Sequence, residues 1–179
     1  KLRDIWKWRG IFVHEAPDAE AARQAVLEIM HKVNATKLIK AKTMLSEEIE
    51  LNSFLLDNDI KPIETDLGEY IVQLRNELPS HITMPAMHLT RQDIGKLFEE
   101  KLGIDYTDEP SELTKIARRE LRKEFLQAEV GLCGVNFAVA SSGHIATVTN
   151  EGNGRMVTTM PNTVIALMGW ERVTKSLDC

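Results

Sequence analysis

Hydrophobic positions recur at helical spacing in several segments, and short apolar runs separate them. Asp18 and Thr90 each precede such a segment, and their side-chain oxygens can accept hydrogen bonds from the free N–H groups of a first helical turn. The predicted helices cover Asp18–Asn34, Ser46–Asn58, Thr90–Leu102 and Ser111–Ala128. The apolar runs between and after them are five or six residues long, which is typical of strands.

The apolar runs predict a sheet. Those before Glu129 are Lys37–Ala41, Ile60–Glu64 and His81–Pro85, and those after it are Val130–Gly134, Asn136–Ala140, His144–Thr149 and Val164–Met168. Short strands that alternate with helices indicate βαβ units around a mainly parallel sheet. The sequence therefore predicts a single α/β domain over residues 18–179, with an N-terminal extension over residues 1–17 and a β-rich C-terminal third that includes antiparallel pairing.

Residues 131–155 carry the densest local signals. Two strand-like runs flank Ser141-Ser142-Gly143, which predicts a β-hairpin. The polar loop 150–155 follows, and its glycines allow close approach of a ligand to the backbone. Its Arg155 suits a small carboxylate or phosphate. A solvated connecting loop is the alternative.

Composition excludes several classes of protein. The 179 residues are 43% hydrophobic and 27% charged, with a formal net charge of −5, so a general nucleic-acid surface is not expected. No apolar run is long enough to span a membrane, and the first residues lack the apolar core of a secretory signal. Cys133 and Cys179 are too few for a disulfide framework. A cytoplasmic location is expected.

The first candidate site is the segment 40–48, where a predicted strand ends and a helix begins. Ligands collect outside the carboxyl ends of strands in open α/β sheets, and helix N-termini offer free N–H groups. Lys42, Thr43 and Ser46 would then bind a carboxylate or phosphate, with Glu47 placed for acid–base chemistry. Alternatively, a hydroxyl only caps the helix and the lysines are solvated.

The second candidate is the segment 64–70, in which Glu64, Asp66 and Glu69 supply three carboxylates within six residues. They would hold a divalent cation or act as a base. The alternative, which the pattern favours, is that Thr65 or Asp66 caps a short helix while Glu69 faces solvent. The five histidines show no paired metal-ligand spacing, so no metal site is expected.

Four separated runs match a known family. They are KAKTMLSEEIELN (40–52), ETDLGEYIVQ (64–73), PSHITMPAMH (79–88) and the segment 134–155 with GVNFAVA and TVTNEGNGR. In this order they resemble the lactate-utilization (LUD) domain. The resemblance is closest to the iron–sulfur subunit of the bacterial three-protein L-lactate oxidation system, and it extends from about Asp18 to Val173.

The resemblance implies a three-layer α/β/α sandwich like that of ribose-phosphate isomerases and CoA transferases. It also implies a part in the oxidation of L-lactate to pyruvate with partner subunits. Family members carry two cysteine motifs for [4Fe-4S] clusters in a C-terminal ferredoxin-like part, and this chain contains neither motif. No cofactor is therefore expected within this chain. Where the family usually has Glu-Thr-Gly, this chain has Ser141-Ser142-Gly143.

The leading hypothesis is a cleft that binds a small carboxylate such as lactate or pyruvate. Its expected catalytic residues are Glu47 and Glu151, either of which would accept the hydroxyl proton. Its expected binding residues are Lys42, Thr43, Ser46, Asn150, Gly152, Asn153, Gly154 and Arg155.

Two other functions remain open. The first is a non-catalytic module that docks partner subunits through exposed aromatic residues, namely Trp6, Trp8, Phe12 and Trp170. The second is an isomerase or transferase that acts on small phosphorylated or CoA-linked substrates, which rests on fold analogy alone.

Overall fold

The computed structural model describes residues 1–81 and 84–177. The strands are β1 Lys37–Lys40, β2 Lys61–Glu64, β3 Val130–Gly134, β4 Phe137–Val139, β5 Ile145–Ala146, β6 Thr163–Leu167 and β7 Val173–Thr174. The helices are α1 Leu2–Trp8, α2 Ala19–Lys32, α3 Met44–Glu48, α4 Leu51–Asp57, α5 Leu67–Arg75, α6 Arg91–Leu102, α7 Pro110–Gln127 and α8 Asn153–Thr159, and a 3-10 turn covers Trp170–Arg172.

Four parallel strands form the main sheet in the order β2-β1-β3-β6. Successive residues of a strand face opposite sides, so neighbouring apolar residues enter two different cores. Leu38 and Leu132 pack against α2 and α4 on one face. Ile39 and Cys133 pack against α5, α6, α7 and α8 on the other. The predicted α/β fold, with helices on both faces of a parallel sheet, is confirmed.

A second, smaller sheet has the order β5-β4-β7. β4 and β5 pair in antiparallel fashion, which confirms the predicted hairpin and antiparallel pairing, although β5 has only two residues. Helix α1 covers this sheet: Leu2 and Trp6 are buried with Ala138, and the Trp6 indole N–H donates to the carbonyl of Gly143 at 2.8 Å. The N-terminal segment, for which the sequence predicts no element, therefore contains a helix that packs on the small sheet.

Three of the predicted helices agree closely with the structure. Asp18 caps α2 by accepting from the Ala21 N–H, and Thr90 forms a capping box with Asp93 at the start of α6. Helix α7 also lies where it is predicted, with Pro110 in its first turn.

The prediction of one continuous helix over residues 46–58 is wrong. It is two short helices, α3 and α4, joined at Glu50, which adopts the left-handed conformation with φ 51°. The break lets Ile49 and Leu51 both enter the core. The Ile49 carbonyl freed by the break accepts from the Arg23 guanidinium at 3.1 Å.

Two further differences concern the chain after β2 and after β5. The polar loop predicted over residues 150–155 ends at Gly152, because residues from Asn153 onward form α8. The strand predicted at His81–Pro85 includes residues 82 and 83, which lie outside the described residues, and Met84 and Pro85 are not in a strand. None of the helices in the described part of the chain is long and apolar enough to cross a membrane.

Candidate functional site

The strand order creates a place for a ligand between β1 and β3. From β1 the chain proceeds through α3 and α4 to β2 on one side, and from β3 it proceeds to β6 on the other side. The connections leaving the carboxyl ends of these central strands therefore diverge. In open α/β sheets, such a switch point is where ligands bind.

A cleft of about 350 Å³ lies at this switch point. Its walls come from the segments that follow β1 and β3, from the loop after β5, from the start of α8, from the end of β6 and from the 3-10 turn. The lining residues are Ala41, Lys42, Thr43, Met44, Leu45, Glu48, Cys133, Gly134, Val135, Asn136, Thr147, Val148, Thr149, Gly154, Leu167, Gly169, Glu171 and Arg172. The cleft thus combines hydroxyl and amide groups with cationic and anionic side chains.

Two glycines let the walls approach closely. A Cβ atom at Gly134 would lie 2.5 Å from Thr43 Oγ1, so only glycine allows this threonine to sit against the end of β3. At Gly154 a Cβ atom would lie 3.0 Å from the Thr149 methyl group. Thr43 precedes α3 but makes no side-chain capping bond to it. Its hydroxyl is therefore not committed to the helix end.

Two cations line the cleft from different sides. Lys42 follows β1 and is 28% exposed, and its Nζ lies 3.1 Å from Glu69 Oε1. Arg172 lies on the 3-10 turn, is 57% exposed, and has its Nε 3.3 Å from Glu171 Oε1. An ammonium and a guanidinium group are the usual protein partners of a carboxylate.

Beside the cleft, the ends of β1 and β2 hold a buried ion pair. Lys40 is 1% exposed, and its Nζ contacts Glu64 Oε1 at 2.5 Å and Glu47 Oε1 at 2.8 Å. Asn52 donates to the same Glu64 oxygen at 2.7 Å. Glu64 Oε2 and Asn52 Oδ1 are buried without a hydrogen-bond partner among the described residues. The two carboxylates hold the pKa of Lys40 above its ordinary value, although burial acts in the opposite direction.

Glu69 is the other buried carboxylate of this cluster, and its side chain is 7% exposed. Burial is the main reason that its pKa is raised above the ordinary value for glutamate. The carboxylates of Glu64 and Glu47 raise it further, while Lys42 lowers it. In the second candidate segment, Asp66 caps α5 by accepting from two backbone N–H groups. That part of the alternative prediction is confirmed, but the expectation that Glu69 faces solvent is wrong.

The structure separates the predicted binding residues into three groups. Lys42, Thr43 and Gly154 line the cleft. Ser46 and Asn153 make hydrogen bonds outside the lining: Ser46 Oγ donates to the carbonyl of the lining residue Thr43 at 2.8 Å, and Asn153 Nδ2 donates to Thr65 Oγ1 at 3.1 Å. Asn150, Gly152 and Arg155 lie outside the lining, and Arg155 is exposed on α8.

Neither predicted catalytic carboxylate is among the lining residues. Glu47 is 39% exposed and engages Lys40, while Glu151 is exposed in the loop before α8. Helix α3 has five residues, so the predicted helix-end contribution to anion binding is small. The carboxylate that the structure brings to a cleft lysine is Glu69.

Several lining residues were not predicted from the sequence, including Asn136, Thr147, Thr149 and Arg172. The first three lie in loops beside β4 and β5, and the fourth lies on the 3-10 turn, all distant in sequence from Lys42. Asn136, Thr147 and Thr149 fall within the segment 134–155 that carries the family resemblance, whereas Arg172 lies in no segment that the sequence singled out.

The parallel sheet and the cleft at its switch point define an α/β domain with a cleft where ligands bind in open sheets of this kind. Residues 2–179 match the family described as the LUD domain, and the chain belongs to that family. The protein of Macrococcus caseolyticus named Lactate utilization protein B is 50% identical over 166 residues, which are 92% of this chain and 35% of that protein. The protein of the same name from Bacillus subtilis is 45% identical over 171 residues, 95% of this chain and 36% of that protein.

The chain spans about a third of the length of the curated relatives it matches. No solved structure matches it. The family resemblance inferred from the four sequence runs is confirmed.

The residues of this chain do not fit a four-iron cluster. Such a cluster takes four cysteine thiolates. The chain has two cysteines, of which Cys133 is buried in β3 and Cys179 lies outside the described residues. Burial also raises the pKa of the Cys133 thiol, which disfavours the thiolate that binds metal.

Proposed function

We propose that this chain is the LUD domain of a cytoplasmic iron–sulfur protein that takes part in oxidising L-lactate to pyruvate, and that its cleft binds the substrate carboxylate. Family membership and the printed names of the relatives support the role in lactate utilisation. One observation carries the binding site: a lysine and an arginine line a cleft at the switch point of a parallel sheet.

The lining residues have distinct roles in this proposal. Lys42 supplies a point charge to the carboxylate, and Arg172 offers a second, forked donor from the opposite segment. Thr43 places a hydroxyl beside Gly134, where it can hydrogen-bond the ligand. Gly154 leaves room for the ligand to approach the backbone.

Isothermal titration calorimetry of the chain with L-lactate and with pyruvate tests this assignment. Lys42→Met is expected to weaken binding by roughly 10- to 100-fold, because a hydrogen bond to a charged group contributes about 1.5–3 kcal/mol. Arg172→Met is expected to weaken binding as well. The matched control is Arg155→Met, which removes a guanidinium that lies outside the lining.

The two arginine variants distinguish the binding site predicted from the sequence from the site assigned from the cleft. An effect of Arg155→Met with none of Arg172→Met would restore the sequence-based assignment and contradict the one made from the cleft. Absence of binding by the unaltered chain at millimolar lactate and pyruvate would contradict the carboxylate site as a whole.

Docking of partner subunits is the second candidate function, and large exposed aromatic residues favour it. Trp6 is not one of them, because it is buried, and the prediction that it is exposed is wrong. Trp8 is 85% exposed and Phe12 is 80% exposed, whereas Trp170 is 51% exposed and carries the Arg3 guanidinium over its ring. Size-exclusion chromatography with the other subunits of the lactate system is expected to show a complex that the Trp8→Ser/Phe12→Ser variant loses. Unchanged co-elution of that variant would contradict docking through these residues.

A further inference from the structure

Lys42 connects the cleft to a buried carboxylate. Its ammonium group lies 3.1 Å from Glu69 Oε1, and Lys42 is 28% exposed whereas Glu69 is 7% exposed. Lys42 lines the cleft and Glu69 does not. A ligand carboxylate that binds Lys42 therefore meets an ammonium group that already has an anionic partner on its inner side.

The surroundings of Glu69 are rich in negative charge. Glu64 at the end of β2 and Glu47 on α3 both act on it repulsively. Lys40 does not offset this repulsion at Glu69, because its Nζ forms ion pairs with those same two carboxylates. The cluster thus contains three glutamates and two lysines, and Glu64 Oε2 has no hydrogen-bond partner among the described residues.

The charged residues of α6 and α7, which also pack against α5, act on residues of α5 other than Glu69. Asp93 of α6 acts on Arg75, and Glu120 and Glu124 of α7 act on Tyr70, whose pKa is raised to about 12 chiefly by burial. Among the described residues, Lys42 is the cation that lowers the pKa of Glu69 and so favours its ionised form. A buried carboxylate that loses its cation is more stable when protonated.

We propose that Glu69 is the proton acceptor of the cleft: a carboxylate anion that binds Lys42 draws the ammonium group away from Glu69, and Glu69 then takes up one proton. The proton comes from solvent, an O–H bond forms on the Glu69 carboxyl group, and no bond of the ligand breaks. The ligand class is a small monocarboxylate. This inference rests on the proposed carboxylate binding and adds its coupling to a proton.

The coupling fixes the direction of the pH dependence. Binding raises the pKa of Glu69 above its already elevated value in the free protein. Affinity is therefore greatest below the pKa of Glu69 in the free protein, and it falls as pH rises toward the pKa in the complex. The dissociation constant increases by at most about tenfold for each pH unit in that window.

Calorimetry of L-lactate binding in buffers with different ionisation enthalpies, over a series from about pH 5 to about pH 8 (above the ordinary glutamate pKa of about 4.3), measures the protons taken up. The unaltered chain is expected to take up a fraction of a proton that approaches one within the pH window of the coupling. Glu69→Gln is expected to bind lactate without proton uptake, and its dissociation constant is expected to be nearly independent of pH. Lys42→Arg, which keeps the cation, is expected to retain the uptake.

Glu77→Gln is the matched control, because Glu77 follows α5 and is paired to Arg75 on the surface. It is expected to leave proton uptake unchanged. Lactate binding by the unaltered chain without proton uptake at any of these pH values would overturn the role of Glu69 and leave the carboxylate site standing. Uptake by Glu69→Gln equal to that of the unaltered chain would do the same. Absence of lactate binding would overturn both proposals.

Discussion

At the scale of single residues, the charged cluster at the ends of β1 and β2 shows how much can be predicted from residues that are neighbours in the chain. The sequence identified Lys40–Glu48 and Glu64–Tyr70 as two separate polar segments, each with its own possible chemistry. Parallel pairing of β1 with β2 places Lys40 opposite Glu64, so the two segments form one charged cluster. Which side chains pair across strands depends on register, which neither segment contains by itself.

The Lys40–Glu64 pair gives a prediction for stability. Lys40→Met removes the cation and leaves Glu64 buried and uncompensated, which is expected to lower the free energy of unfolding by about 3–5 kcal/mol. Urea denaturation followed by circular dichroism measures this loss. Lys37→Met on the same strand is the control, because its pair with Glu124 is 30% exposed on both sides and contributes about 0–1 kcal/mol.

The double variant Lys40→Met/Glu64→Leu checks the cause. Removing both charges is expected to recover most of the lost stability, since the penalty comes from an unpaired buried charge. Equal instability of the single and the double variant would show that packing of the lysine stem, and not charge, is the cause.

At the scale of secondary-structure elements, helix α1 is the clearest case of an element that the structure contains and the sequence did not predict. Its seven residues carry Leu2 and Trp6 on one side, four positions apart, which is the spacing of one helix face. A face of two apolar residues on a seven-residue segment is too short to predict a helix from periodicity. The helix becomes recognisable only through the small sheet that it covers and through the Trp6–Gly143 hydrogen bond.

The two tryptophans of α1 provide a matched pair of substitutions. Trp6→Ala is expected to reduce the free energy of unfolding by about 3–5 kcal/mol, because Trp6 is buried against the small sheet. Trp8→Ala is expected to change it by less than about 0.5 kcal/mol, because Trp8 is 85% exposed. Chemical denaturation of both variants tests this. Similar losses of stability in the two variants would contradict the structure, in which Trp6 is buried and Trp8 is exposed.

At the scale of the whole molecule, the cleft is a product of topology. Its lining combines residues that follow β1, β3 and β5 with residues of the 3-10 turn, which are more than 120 positions apart at the extremes. The sequence-based choice of Arg155 followed from its closeness to glycines in the chain. The structure instead places Arg172 in the lining, because the segment after β6 returns past the carboxyl ends of β1 and β3.

Periodicity, helix caps and short motifs are local properties of a chain, so the α/β class, the capped helices α2 and α6, the parallel core strands and the family could all be predicted from the sequence. The shared cleft of Lys42 and Arg172, and the burial of Glu69 behind Lys42, emerge only when the chain is folded. Strand order and register determine which distant segments meet, and burial determines which of their charges interact strongly.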